Sequence, residues 1–225
     1  VLCFALVHNN GNVDLFIDQQ KITDDLAASF DNGIKVLDQN NIEDALSALG
    51  QSSKSVSLDP NGAPSWFQDR LNQAGAQVVF ADDPCQLPKA IKNDIEINGI
   101  RAAHHRDGAA LTQFLAWLNT AARQGGVSEI SAADKLEEFR SRNTMFRGLS
   151  FTTISGAGPN GAIVHYRVTA ESNIPLEKSS LYLVDSGAQY PDGTTDVTRT
   201  IAIGTPSDEM RNRFTHFVAG RTNSD

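Results

Sequence analysis

The chemistry that this chain could perform centres on two aspartates, Asp185 and Asp196, in the run Y-L-V-D-S-G-A-Q-Y-P-D-G-T-T-D-V-T-R-T from Tyr182 to Thr200. Paired carboxylates on one face of a sheet make a cradle for one or two hard metal ions, which prefer oxygen donors. Register decides whether these two can meet. Leu181, Tyr182, Leu183 and Val184 are strand-prone, and so are Val197, Thr198, Thr200, Ile201 and Ile203. Between them, Tyr190-Pro191-Asp192-Gly193 has turn chemistry at every position. With those residues as the loop, Gln189 pairs with Thr194, Gly187 with Asp196 and Asp185 with Thr198. Side chains alternate faces with period two, so Asp185 and Asp196 become same-face diagonal neighbours, roughly 7–8 Å apart. An odd loop or a bulge would separate them. Thr198, opposite Asp185, can orient that carboxylate from behind. Turn chemistry alone also accounts for aspartates flanking a hairpin.

His165 is the third candidate. It follows Ile163 and Val164 in a strand-like run, after the loop Ser155-Gly156-Ala157-Gly158-Pro159-Asn160-Gly161. Glycine lets backbone approach a ligand closely. An imidazole that titrates near neutrality can donate to a substrate carbonyl or exchange a proton. The plainer alternative is a strand-end histidine held by a backbone bond. No G-K-[ST] and no predicted helix follow the loop, so it is not a phosphate loop. His104-His105 are adjacent on a predicted helix, about 100° apart, with no carboxylate at ligand spacing, which argues against a metal pair there.

The elements that must position these residues read as follows. Val1–Val7 and Val13–Ile17 flank His8-Asn9-Asn10-Gly11-Asn12, an Asn-Gly hairpin signal. Ile42–Leu49 carries Ile42, Ala45, Leu46 and Leu49 on one helical face, with Gly50 as the expected stop. Ser55–Leu58 and Gln77–Phe80 read as strands around a helix over Pro64–Ala74 that Gly75 ends. This alternation predicts a small α/β domain. The prolines of Asp82-Asp83-Pro84-Cys85-Gln86-Leu87-Pro88 put a boundary between residues 1–86 and 87–225. A long helix is expected over Asp94–Ala122, with Ile97, Ile100, His104, Leu111, Phe114, Leu115 and Leu118 as its apolar stripe. A second helix is expected from Ser131, with Asp134 completing a capping-box-like pattern. A third is expected after Thr205-Pro206-Ser207-Asp208, capped by Thr205 and burying Met210, Phe214, Phe217 and Val218.

Composition bounds the function classes. The 225 residues are 40% apolar and 20% charged, as in globular proteins, and at ~100–200 residues per domain they make one large or two modest domains. The net charge of −8 is dispersed, which argues against nucleic-acid binding. No run approaches the ~20 apolar residues of a membrane span. Cys3 and Cys85 form no metal or redox spacing and fit a reducing compartment or buried thiols.

Several stretches, in order from about Pro84 to Pro206, resemble the aminopeptidase P branch of the creatinase/prolidase ("pita-bread") metallopeptidases. They are Pro88-Lys89-Ala90-Ile91-Lys92-Asn93, Glu129–Lys135 with Glu137-Glu138-Phe139-Arg140, G-P-N-G-A-I-V-H-Y from Gly158 to Tyr166, and the two aspartate runs. The resemblance implies a creatinase N-terminal-like α/β domain followed by the first half of an α+β pita-bread catalytic domain. It implies that Asp185 and Asp196 match the first two ligands of a site for two divalent ions, usually Mn2+, and that His165 matches a substrate-contacting, proton-shuttling histidine. The activity implied is release of an N-terminal residue from peptides with proline in the second position, by a cytoplasmic enzyme that could be a homodimer. The family also needs a later histidine and two later glutamates as ligands. After Asp196 the chain offers only Glu209 and His216, in a predicted helix too close to the hairpin to match. The expectation is therefore an inactive fragment, opening at Val1 inside a strand and closing at Arg221-Thr222-Asn223-Ser224-Asp225 after a helix. Two other readings stay open: a prolidase-like dipeptidase, and a catalytically dead peptide-binding module on the same fold. Modules of that kind tend to lose the aspartates, which are present here.

Overall fold

The computed structural model describes residues 2–52 and 55–222, those from 218 on by backbone alone. Val1, expected in the first strand, and the Val218 side chain, expected in a buried helix face, lie outside the described residues. The chain divides into two units, Val1–Ile91 and Lys92–Asp225. The boundary expected after residue 86 falls slightly earlier.

In the first unit, strands β1 (Cys3–Val7) and β2 (Val13–Ile17) form the expected antiparallel hairpin. Gly11 at φ +86° supplies the left-handed turn residue. Helix α1 (Asp24–Ser29) is capped by Thr23, whose hydroxyl accepts from the Leu26 N–H. Strand β3 (Ile34–Leu37) then returns parallel to β2. Helix α2 (Ile42–Gln51), strand β4 (Ser55–Leu58), helix α3 (Ser65–Gln73) and strand β5 (Gln77–Phe80) follow, with β4 and β5 parallel. The α/β alternation is therefore present. Gly50 departs from expectation: it lies inside α2, where a Cβ would sit 2.3 Å from that of Ala74. It permits close packing beside the end of α3 instead of stopping α2. A short helix, α4 (Gln86–Ala90), precedes the second unit.

The second unit opens with α5 (Asp94–Gln124), started by a reciprocal cap between Asn93 and Glu96 and ended at Gly125, φ +88°. Leu111, Phe114 and Leu118 are buried as the stripe predicts. His104 is exposed instead, its Nδ1 facing the Ile100 carbonyl at 2.9 Å. Ala103 and Asp107 take the buried positions one helical step away. Helix α6 (Glu129–Ser141) begins earlier than expected because Ser128, not Ser131, is its cap. The Ser128 hydroxyl accepts from the Ser131 N–H at 3.3 Å, and the Ser131 hydroxyl accepts from the Ser128 N–H at 2.8 Å.

The strands β6 (Gly148–Leu149), β7 (Ile154–Ala157), β8 (Ser180–Ser186), β9 (Ala188–Tyr190), β10 (Gly193–Thr194) and β11 (Val197–Ile203) form two antiparallel sheets, β7-β8-β11 and β6-β9-β10. Tyr182 and Val184 of β8 face a core made with Leu111, Phe114 and Leu118 of α5 and Ala132 and Leu136 of α6. Alternation along β8 then turns Leu183 and Asp185 to the opposite face. The last helix, α7 (Asp208–Thr222), is capped by Ser207, whose hydroxyl accepts from the Met210 N–H, and not by Thr205. Phe214 and Phe217, expected to be buried, are 49% and 63% exposed. Periodicity identifies residues that share a helix face; it does not say whether anything covers that face. Among the described residues, no helix is long and apolar enough to cross a membrane.

Burial, then the charge of Asp107 and the hydrogen bond to it, push the Tyr190 hydroxyl up to about 12. Burial also pushes the Tyr182 hydroxyl up. An unfolded tyrosine ionises near 10. The stability tied to these neutral hydroxyls is therefore complete below about pH 10 and lost as pH rises toward 12. In the whole protein, thermal stability measured from pH 9 to 12 should fall above pH 10, and less steeply in Tyr190→Phe. Identical slopes would contradict this assignment.

Candidate metal centre

The aspartates sit at a gap between two ladders of one antiparallel hairpin. Thr198 pairs with Asp185 and Val197 with Ser186; beyond the gap, Thr194 pairs with Gln189 and Gly193 with Tyr190. One register runs through the whole hairpin, so there is no net bulge and the tight turn shrinks to Pro191-Asp192. Between the two ladders, Gly187, Thr195 and Asp196 leave regular strand pairing. Thr195 closes that gap. Its N–H donates to the Ala188 carbonyl at 2.9 Å, and its hydroxyl accepts from the Ala188 N–H at 3.0 Å. The Ser150 hydroxyl donates to the Thr195 carbonyl at 2.9 Å, and the Ser150 N–H donates to the Gly187 carbonyl at 3.1 Å. A Cβ on Gly187 would lie 1.9 Å from the Thr195 oxygen and 2.2 Å from the Ser150 hydroxyl. Only glycine fits.

The hairpin tip is fastened to α5. The Arg106 guanidinium pairs with Asp192 and lies over the Tyr190 ring, 5.0 Å from its centroid. The Tyr190 hydroxyl donates to Asp107 Oδ1 at 3.2 Å. Asp107 in turn accepts two bonds from Arg140 of α6, 2.8 Å from Nε and 2.9 Å from Nη2. Asp107 and Arg140 are both fully buried, and breaking such a pair costs about 3–5 kcal/mol because it leaves one charge uncompensated. Gly99 and Gly193 allow the close contact, since a Cβ on Gly99 would fall 2.4 Å from the Asp192 carbonyl oxygen.

With the hairpin held in this way, Asp185 and Asp196 line one cleft of about 390 Å³ together with Phe151, Thr152, Ile154, His165 and Arg167. The Thr198 hydroxyl donates to Asp185 Oδ1 at 2.8 Å, which leaves the other carboxylate oxygen available. Asp185 is half-buried; Asp196 and His165 are exposed. His165 is not in a strand as expected. It sits in a turn after a 3-10 segment, Gly158–Ala162, with φ +55°. Sequence reasoning passed over Arg167. No local signal marks it: the two-residue spacing from His165 shares a side only in an extended chain, and the chain at His165 is a left-handed turn.

The donor set suits a hard divalent ion: two carboxylates, with a hydroxyl fixing one of them. Among the described residues, no cluster of three or more His, Cys, Asp or Glu side chains could hold a metal. Asp185 and Asp196 therefore fit part of a metal centre. Glu209 and His216 lie in a different cleft with Asp208, Asn212 and Arg213, and Glu209 pairs with Arg213 at 2.9 Å.

Residues 98–222 match the model of metallopeptidase family M24, and residues 1–96 match the creatinase/prolidase N-terminal domain. The chain is 38% identical over 224 residues to a probable Xaa-Pro aminopeptidase P of Aspergillus niger, covering 95% of this chain and 36% of that protein. The crystal structure of X-prolyl aminopeptidase from Caenorhabditis elegans, described as a cytosolic enzyme with a di-nuclear active site, superposes with a TM-score of 0.77 at 32% identity. It covers 88% of this chain and 33% of that one. An X-Pro aminopeptidase from Thermotoga maritima shares the fold at TM-score 0.74 and 22% identity, covering 93% of this chain and 56% of that one. The chain thus spans about a third of the length of the curated relatives it matches.

The close approach at Gly187 can be tested directly. In the whole protein, Gly187→Ala should lower stability by about 3 kcal/mol and weaken divalent-ion binding at least tenfold, by calorimetric titration. Gly108→Ala, at an open helical position, should raise stability by about 0.5–1 kcal/mol and leave ion binding unchanged. Wild-type ion affinity in Gly187→Ala would contradict the steric argument.

Proposed function

The chain belongs to metallopeptidase family M24, and on that premise we propose that the whole protein is a Xaa-Pro aminopeptidase that releases the first residue of peptides with proline second. The observation that carries this reading is the meeting of Asp185, Asp196 and His165 in one cleft. The aminopeptidase P relatives support the substrate class.

Asp185 and Asp196 would hold two divalent ions, with manganese the proposed metal. When bound, the ions supply Lewis-acid activation of the scissile carbonyl and of the attacking water. Thr198 keeps Asp185 in one orientation, which raises the fraction of time that its free oxygen faces the cleft. His165, exposed at the cleft wall, donates a hydrogen bond to the substrate carbonyl and exchanges a proton with the leaving group. The bond before proline has a tertiary amide nitrogen and a restricted φ, so a dedicated site is needed to cleave it. We assign the remaining metal ligands to the portion of the relatives' length that this chain does not span. Residues 1–86 would form the domain that precedes the catalytic one, of which residues 87–225 form the first part. Cytoplasmic location is the favoured assignment, supported by Cys3 and Cys85, which are free thiols.

The purified whole protein should hydrolyse Xaa-Pro-Yaa tripeptides, lose activity to a chelator and regain it with Mn2+. His165→Ala should lower kcat about 10²–10⁴-fold while metal content stays intact, whereas Asp196→Ala should lose metal. Cleavage of Xaa-Pro dipeptides alone would favour a prolidase. Undiminished turnover in Asp196→Ala, or metal loss in His165→Ala equal to that in Asp196→Ala, would overturn these roles.

A further inference from the structure

We propose that Glu129 is a positioning residue for His165, holding the loop that carries it in a conformation that the loop would not otherwise keep. This inference rests on the reading of His165 as a substrate-contacting group.

Glu129 is fully buried at the first turn of α6, and donors from both sides of His165 converge on its carboxylate. Oε1 accepts from the Ala157 N–H at 2.7 Å and from Asn160 Nδ2 at 3.0 Å. Oε2 accepts from the Tyr166 hydroxyl at 3.2 Å and from the Ile174 N–H at 3.1 Å. Asn160 Nδ2 also donates to the Tyr166 hydroxyl at 2.9 Å, joining the two halves. The Glu129 main chain adds to this, with its carbonyl accepting from the Ser155 hydroxyl at 2.7 Å and its N–H donating to the Ile174 carbonyl at 3.1 Å. The loop from 157 to 174 is thus tied at both ends and at two points between. One of those points is Tyr166, the residue next to His165.

The conformation of His165 shows why such a tie is needed. A φ of +55° is a left-handed backbone for a non-glycine residue, and a conformation of this kind persists only where surrounding contacts over-determine it. Ile163 and Val164, beside it, are 53% and 83% exposed and supply little packing. The constraint therefore comes from the polar side, and Glu129 is where it converges. A buried carboxylate accepting several donors is favourable only while all of them are present. Glu129→Gln would present an NH2 group to donors that need an acceptor, at nearly unchanged volume. A displacement of about 1 Å at a catalytic group can lower turnover about 10²-fold.

The test uses the whole metal-loaded protein, with rates normalised to folded enzyme. Glu129→Gln should lower kcat on a Xaa-Pro-Yaa tripeptide ten- to a hundredfold, with KM changed less than threefold and metal content unchanged. In a His165→Ala background, the same substitution should change kcat less than twofold. Amide hydrogen exchange across residues 158–173 should speed up at least tenfold in Glu129→Gln, with or without metal. Should Glu129→Gln fail to fold, Tyr166→Phe and Asn160→Ala should show the same pattern with smaller losses. Additive losses in the double variant, or loss of stability with kcat of the folded enzyme unchanged, would overturn the proposal. A null effect of His165→Ala alone would instead remove the underlying role of His165.

Discussion

The close approach of Thr195 and Ser150 to Gly187 is the constraint on which the site depends. A strand pair normally spaces its side chains by the ladder between them. Here the Thr195 carbonyl and the Ser150 hydroxyl occupy the space that a Cβ would need. The hairpin therefore passes from one small sheet to the other without slipping register, and Asp185 and Asp196 arrive on the same side. One extra residue anywhere between them would turn one carboxylate away. Where the ladder opens, Thr195 and Ser150 supply bonds in its place: the Ser150 hydroxyl donates to the Thr195 carbonyl, and the Thr195 hydroxyl accepts from the Ala188 N–H.

Acidic residues divide by environment. Asp107 and Glu129 are buried and surrounded by donors: the first is matched by Arg140 and Tyr190, the second by backbone and side-chain donors of the His165 loop. These carboxylates are committed to holding elements together. Asp192, at the turn, pairs with Arg106 and fastens the hairpin tip. Asp185 and Asp196 face open space in a cleft, and their remaining oxygens are free to accept a ligand. The tie between α5, α6 and the hairpin tip thus holds the hairpin that carries both aspartates, while the tie at Glu129 holds the loop that carries His165.

Much of this was readable from the chain, because it depends on local rules. Turn chemistry at Pro191-Asp192 together with period-two alternation gives the Asp185–Thr198 pairing, which the strands adopt. The β4, α3 and β5 boundaries follow from short apolar runs and Gly75. What was not readable depends on partners distant in sequence. The α5 stripe rotates by one step because Ala103 and Asp107 meet the hairpin and α6, while His104 is exposed. Gly50 reads as a helix stop, but it is a packing contact with Ala74. His165 reads as part of a strand, but Glu129, a long way back in the chain, bends that segment into a left-handed turn. No local signal marks a glutamate in the first turn of a helix as buried. Charge near the positive end of a helix is favourable in either environment.

The claim that Asp185 and Asp196 act together on divalent ions is tested most directly by anomalous diffraction at the manganese edge, from crystals of the whole protein grown with Mn2+. The account predicts anomalous peaks in the cleft bounded by Phe151, His165 and Arg167, with both carboxylates within coordination distance, about 2.0–2.6 Å. Peaks confined to other sites, or a cleft ion held by only one of the two aspartates, would contradict it.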